Sequence, residues 1–212
     1  MQKRLLWLPT WRGWLLLLAL AVLVTYVVLR GIHPFLAVNE PVKAEVLVVE
    51  AWIPDYIVKQ GLDLSRDGSC RYLLLTGGTV ENEIDPEPDD TYAHMAMQRL
   101  QRITKDLEKV RAVPSPEVHR DRTYASALAV RKWLAAEGIE LKKLNVMTMG
   151  PHARRSRLMF EKAFGPAVEI GILSGRSREY DPQHWWRSSE GVKEVLSEGA
   201  AYLYARFLFR PG

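Results

Sequence analysis

Residues 44–78 read AEVLVVEAWIPDYIVKQGLDLSRDGSCRYLLLTGG, and this stretch decides the architecture. Its first seven residues are apolar and rich in β-branched side chains between two glutamates, the pattern of a buried strand. Pro54 and Asp55 then suit the start of a helix, and Gly68 suits its end. Residues 71–76, RYLLLT, form a second apolar run closed by Gly77 and Gly78. Strand, helix and strand within about 35 residues make a βαβ unit, which implies a parallel sheet.

The same alternation continues to the C-terminus. Helical spacing is predicted over 91–107, 121–137, 151–164 and 188–209, and strands over 110–113, 143–149 and 168–173. The expected fold is α/β: a Rossmann-like, doubly wound and mostly parallel sheet of about five strands, preceded by one transmembrane helix. In such sheets ligands bind beyond the carboxyl ends of the strands, near the point where strand order reverses. Polar residues gather at those ends, in 50–55, 76–79, 119–123 and 150–155.

The chain has 29 basic and 25 acidic residues, but residues 1–35 hold Lys3, Arg4, Arg12 and Arg30 and no acid. The remaining body is therefore neutral, which argues against nucleic-acid binding, since that needs a basic face against phosphates. From Gly13 to Leu29 run 17 uncharged residues, enough to cross a bilayer. Trp7, Trp11 and Trp14 flank the run on one side and Tyr26 lies near the other, as interfacial rings do. The expected organisation is a membrane anchor over 1–30, a linker over 31–43 and one α/β domain over 44–212. The basic flank predicts a cytoplasmic N-terminus, with the body on the extracytoplasmic (periplasmic) side of a bacterial inner membrane. No small-x-small cleavage site closely follows the run, so the segment reads as a retained anchor in the lipid bilayer through residues 13–29. Cys70 is alone and forms no internal disulfide.

No G-x-G-x-x-G, Walker lysine loop, C-x-x-C, H-E-x-x-H or G-x-S-x-G motif occurs. The sequence thus names no cofactor and no metal site. Four polar features remain as candidate site elements. Thr76, Gly77 and Gly78 end a strand, where a glycine pair serves either as a plain tight turn or as an N–H nest for an anion. His152, Arg154, Arg155 and Arg157 open a helix, whose positive end repels them; an anionic ligand would relieve that repulsion, unless acids already pair with the arginines. Asp121 suits an N-cap, with Arg122 and Thr123 in the first turn behind it. Glu50, directly after a buried strand, is a candidate general base or ribose ligand, or else the structural partner of Arg122 or Arg155. The acidic run Glu81, Glu83, Asp85, Glu87, Asp89 and Asp90 lacks the glycine and spacing of a calcium loop and reads as solvated.

Strand, T-G-G turn, T-x-x-x-A helix start, then a strand ending in a histidine–arginine helix start: in this order the chain resembles the SanA/ElyC/YdcF-type family of bacterial proteins over about residues 44–205. Thr76, Gly77 and Gly78 are similar to the family's S-G-G turn, Thr123 and Ala127 to its T-x-x-N-A segment, and His152 and Arg155 to its H-x-x-R-A segment. Glu50 and Ala51 stand where the family often has glycines, and Ala125 and Ser126 where it has an acid–asparagine pair. The resemblance implies a Rossmann-like sheet, a role in the cell envelope and a ligand rim that includes Ser126. Nucleotide-like ligands such as S-adenosylmethionine have been associated with cytoplasmic relatives.

Two functions follow as expectations. The first is an enzyme acting on an anionic small molecule or a lipid-linked ligand, such as a phosphorylated envelope glycan precursor. In it Glu50 and His152 are catalytic, and Thr76, Gly77, Gly78, Arg122, Thr123, Ser126 and Arg155 bind the ligand. The second is a ligand-binding or regulatory module without turnover.

Overall fold

Five parallel strands form one sheet in the computed structural model, which describes residues 9–66, 70–80 and 90–211. They are β1 (Val46–Glu50), β2 (Tyr72–Gly77), β3 (Val110–Pro114), β4 (Lys143–Met149) and β5 (Glu169–Gly175), in the spatial order β3-β2-β1-β4-β5. After β3 the chain crosses back to place β4 beside β1, so strand order reverses between these two strands. The helices are α1 (Trp11–Leu36), α2 (Asp55–Ser65), α3 (Tyr92–Ile103), α4 (Arg122–Ala136), α5 (His152–Phe164) and α6 (Ser189–Phe207), with a 3₁₀ turn over Pro182–Arg187 before α6. The expected α/β class and strand positions are those observed. Gly68 and the acidic residues 81–89 lie outside the described residues.

Every residue of β1 is buried, so its faces are told apart by parity rather than by exposure. Val46 and Val48 pack with Leu74, Leu144 and Val146 against α4 and α5, through Val130, Leu134 and Phe160. Leu47 and Val49 pack with Leu73, Leu75 and Met147 against α2 and α3, through Ile57, Leu62 and Leu100. Side chains alternate along a strand, so Glu50, Thr76 and Thr148 all emerge on the α4–α5 face. Glu50 and Thr76 are register partners across β1 and β2. Three polar side chains thus stand together at the carboxyl edge of the sheet, above the point where strand order reverses.

The helix α1 is long and apolar enough to cross a membrane, with a mean hydropathy of 2.5 over its most apolar stretch and none of that stretch buried. Thr10 caps its start by accepting from the Gly13 N–H at 3.3 Å. The linker expected over 31–43 does not begin at Gly31. The helix continues to Leu36 through both Gly31 and Pro34, although proline removes one intrahelical bond. Tertiary contacts outweigh that local cost. Leu36 is buried among Tyr180, Trp185 and Val195, and Trp185 Nε1 donates to the Leu29 carbonyl at 2.8 Å. His33 Nε2 meets the Tyr180 hydroxyl at 3.2 Å, and Arg154 donates to the Phe35 carbonyl while lying over its ring.

The remainder of that segment is also tied down. Glu40 bridges Ile172 of β5 in antiparallel fashion. Val42 exchanges two hydrogen bonds with the Asn145 amide, at 2.9 and 2.7 Å. A side chain on Gly171 would collide with the Val42 nitrogen, which explains glycine at that strand position. Residues 31–43 therefore join α1 to the sheet as packed structure.

This packing predicts a loss of stability when the chain is cut near Val42. Removing 1–41 exposes the seat of Leu36 and deletes Val38 from the core. Loss of buried side chains of this size costs about 2–5 kcal/mol, or roughly 5–15 °C in a domain of this length. A chain beginning at Val42 is expected to melt lower by that margin than one beginning at Leu29, as read by circular dichroism in the same mild detergent.

Candidate functional site

All nine residues expected at the site line one cavity of about 820 Å³ at the carboxyl edge of the sheet. Glu50, Thr76, Gly77 and Gly78 come from β1 and β2 and the turn after them. Arg122, Thr123 and Ser126 come from the first turns of α4, and His152 and Arg155 from the first turn of α5. All of these segments follow parallel strands, and chain ends that emerge at one edge bring their side chains together.

A buried charged network forms the floor. Glu50 is 1% exposed, and Ser156 Oγ donates to its Oε2 at 2.6 Å. His152 Nε2 lies 3.5 Å from the same oxygen. On its other side, His152 Nδ1 donates to Glu198 Oε1 at 2.9 Å. Arg155 grips Glu198 as a fork, Nε on Oε2 at 2.8 Å and Nη2 on Oε1 at 3.0 Å, and reaches Thr123 Oγ1 with Nη1 at 3.4 Å. The edge of Trp52 closes over the imidazole, with ring centroids 4.8 Å apart.

Burial alone would raise the Glu50 carboxyl, but the His152 charge and the Ser156 hydroxyl outweigh it and hold the group below its usual value. Burial alone would favour a neutral His152; the Glu50 charge, opposed by Arg155, and the Glu198 hydrogen bond raise the imidazole instead. Burial likewise works against the Glu198 carboxylate, yet bonds from His152 and Arg155 bring it down to about 2. The resting pattern is carboxylate, imidazolium, carboxylate, guanidinium. Behind it, burial and the nearby Glu198 and Glu179 push Glu194 up to about 7, against a Tyr180 hydrogen bond. Gly150, at φ +48°, passes so close to the Glu194 carboxylate that a Cβ would stand 2.8 Å from Oε1.

Thr76 Oγ1, at the cavity wall, has no hydrogen-bond partner, and His152 Nε2 has only the Glu50 carboxylate, 3.5 Å away. Such orphans cost about 1–3 kcal/mol each and cluster where a ligand satisfies them. The imidazole is thus held between two carboxylates, with Glu198 Oε1 and Arg155 Nη2 each 2.9 Å from Nδ1 and Glu50 Oε2 3.5 Å from Nε2. The arrangement can hold a proton at Nε2 and deliver it to an oxygen.

Several finer expectations are corrected. The basic start of α5 does not await an anion. Arg155 pairs with Glu198, Arg157 with Glu40 and Glu161, and Arg154 with the Phe35 carbonyl and ring. The protein thus relieves that repulsion itself. Gly77 and Gly78 are not an anion nest, since neither has a positive φ. A Cβ on Gly77 would stand 2.8 Å from Tyr92 Cβ, and one on Gly78 would stand 3.1 Å from Ser115 Oγ, so the pair serves close packing of α3 and of the turn after β3. Asp121 occupies the N-cap position without a side-chain capping bond, in the left-handed region at φ 56°, and its side chain lines the cavity instead. Aspartate tolerates that region better than most residues, and non-glycine residues held there concentrate at functional sites.

Ser156 and Glu198 were missed by sequence reasoning. Ser156 directly follows Arg155, at the alanine position of the H-x-x-R-A segment. Glu198 sits on α6, 46 residues from His152. Its only signal is spacing: Glu194, Glu198, Ala201 and Ala205 recur at helical intervals on one face, an acidic pair where small residues mark close packing. Among the described residues no group of three or more His, Cys, Asp or Glu is arranged to hold a metal ion. No family model matches the chain, and comparisons with curated proteins and with solved structures return no match.

The network dictates a pH profile for stability. A raised imidazole stabilises the fold fully below its ordinary value of about 6.5, and this contribution fades as pH rises through the higher folded value. The lowered carboxylates work in reverse: their contribution is present above an ordinary value of 4.5 and fades as pH falls toward the Glu198 value of about 2. Melting temperature, as the difference between the native chain and His152→Gln, is therefore expected to be greatest between about pH 4.5 and 6.5 and to shrink on either side. A pH-independent difference would count against a charged His152.

The Arg155–Glu198 pair is largely buried, with the two side chains 19% and 15% exposed. Breaking a pair this buried costs up to about 3–5 kcal/mol. Arg155→Ala is expected to melt clearly lower than the native chain, with Arg155→Lys recovering only part of the loss because an ammonium cannot reproduce the fork.

Proposed function

We propose that this chain is a membrane-anchored enzyme of the bacterial cell envelope, and that its cleft performs acid–base chemistry on an anionic, phosphorylated substrate. The observation that carries this reading is the buried His152 in the cavity lining: Glu198 lies 2.9 Å from Nδ1, while Nε2 meets Glu50 at 3.5 Å without a well-formed hydrogen bond. A structural histidine at 7% exposure would be expected to have both nitrogens satisfied. In the proposed step water attacks the phosphoryl group, the bond from phosphorus to the leaving oxygen breaks, and His152 gives its Nε2 proton to that oxygen. The proton lost by the water passes to solvent, from which the imidazolium is restored. Glu50 and Glu198 favour the imidazolium beforehand, and the Thr76 hydroxyl hydrogen-bonds the substrate. Thr123, held by Arg155 Nη1, and Arg122 line the mouth beside it. Cleft residues of both signs make this a site for a polar, charged ligand rather than a general polyanion.

The resemblance to the SanA/ElyC/YdcF-type family is part of the proposal, as is a cytoplasmic N-terminus with the body on the periplasmic side of the inner membrane. The Glu50–Ser156 bond supports it in one respect. Glu50 stands where the quoted motifs often place glycine and Ser156 where they place alanine, and the two departures contact each other at 2.6 Å. Relative to that family, the change adds a buried carboxylate together with its hydrogen-bond donor.

A second reading, a binding module without turnover, is favoured by one observation. Arg155 is already committed to Glu198, so it adds little net charge to the rim. The two readings separate by mass spectrometry of small molecules that co-purify with the full chain in mild detergent. If His152 supplies the proton, His152→Gln is expected to retain a phosphorylated species that the native chain turns over, with enrichment of about 10²-fold or more, the usual contribution of a positioned acid. The same species at equal occupancy in both proteins would assign the module instead. Uncharged species alone would remove the anionic substrate.

A further inference from the structure

We infer that the substrate is an amphiphile whose anionic head occupies the cleft and whose single apolar chain lies in an adjoining groove between α4 and the edge strand β3. This rests on the reading of the cleft given above and names the class of its ligand. The groove has a volume of about 820 Å³ and is walled chiefly by Val113, Tyr124, Leu128, Ala129, Trp133 and Phe209. It shares Pro116, Val118 and Asp121 with the polar cleft, so one short segment borders both cavities. The apolar groove and the polar cleft are thus lined in common by the 116–121 segment.

Three features select an alkyl-type chain over other occupants. Along α4 the groove runs from Tyr124 to Ala136, a rise of about 18 Å, which suits an extended chain rather than a compact ring. A peptide strand is disfavoured at this edge, because Pro114 and Pro116 carry no N–H to pair with an added strand. Arg120, Lys132 and Arg210 line the groove with a single acid, Asp121, so its polar margin favours a negatively charged ligand. A membrane-anchored protein also works where such amphiphiles are concentrated.

The test is binding of inorganic phosphate and of ethyl, butyl, hexyl and octyl phosphate to the full chain in nanodiscs of zwitterionic lipid, with empty discs subtracted. Affinity is expected to rise about threefold to fourfold per added methylene, the ordinary gain for burying one. Ala129→Trp fills the groove and is expected to flatten the series while leaving ethyl phosphate binding unchanged; Leu128→Ser, which perturbs packing less, is expected to reduce the slope. Equal affinities for ethyl and octyl phosphate would overturn the amphiphile and leave the cleft reading intact. A slope that neither variant changes would place the chain elsewhere and overturn it too. Failure of every phosphate to bind would remove the anionic head, and with it both readings. If Ala129→Trp altered only the oligomeric state, the groove would belong to a second copy of the chain, and this proposal would fall.

Discussion

A carboxylate with 1% exposure at the end of the central strand is the constraint around which this fold is arranged. Stranded there alone, Glu50 would be costly by several kcal/mol, or would take up a proton. It is tolerated because Ser156 and His152, on the first two turns of α5, meet it from above. His152 in turn needs a counter-charge on its far side, and Glu198 supplies it from α6. Glu198 needs more than one donor to remain ionised in the interior, and Arg155 returns the chain to α5. Each charge justifies the next, and together they set α5 and α6 in register over β1. Ion pairs this buried are weak evidence for net stability. Their clearer consequence is a single geometry, with the imidazole held between two carboxylates in the cavity lining.

The second constraint is mechanical. An apolar helix joined to a domain by a flexible linker leaves that domain free to tumble above the membrane. Here the helix runs on to Leu36, seats that residue among Tyr180, Trp185 and Val195, and receives a hydrogen bond from Trp185 at Leu29. Residues 40 and 42 are then held by β5 and Asn145. The apolar helix and the sheet share one packed interface. Since α6 belongs both to this interface and to the charged network, through Glu198, the orientation of the cleft is coupled to the helix that would cross the membrane.

Much of the site was legible because a parallel sheet converts sequence position into place. Residues that follow strands must emerge at one edge, so Thr76, Arg122, Thr123, His152 and Arg155 could be assigned to a common rim before any contact was known. Their chemistry was less legible. Clustered basic residues at a helix start look alike whether acids or a ligand answer them, and here Glu40, Glu161 and Glu198 answer two of the arginines. A glycine pair looks alike whether it admits a ligand or a neighbouring helix, and Tyr92 takes the space beside Gly77.

By itself the sequence determined the alternation of elements, the membrane-length helix and the edge at which the polar residues collect. These depend on local apolar periodicity, on proline and glycine punctuation, and on the uniform direction of parallel strands. Only the tertiary structure decided which buried faces meet. Periodicity marks a face of α6 as buried without saying that its Glu198 will oppose His152, 46 residues earlier. It marks Gly31 and Pro34 as helix breakers without showing that Trp185 and Tyr180 stand ready to hold that turn. Local sequence encodes what a segment hides from water; the partner that hides it is chosen when the remaining segments compete for the same surface.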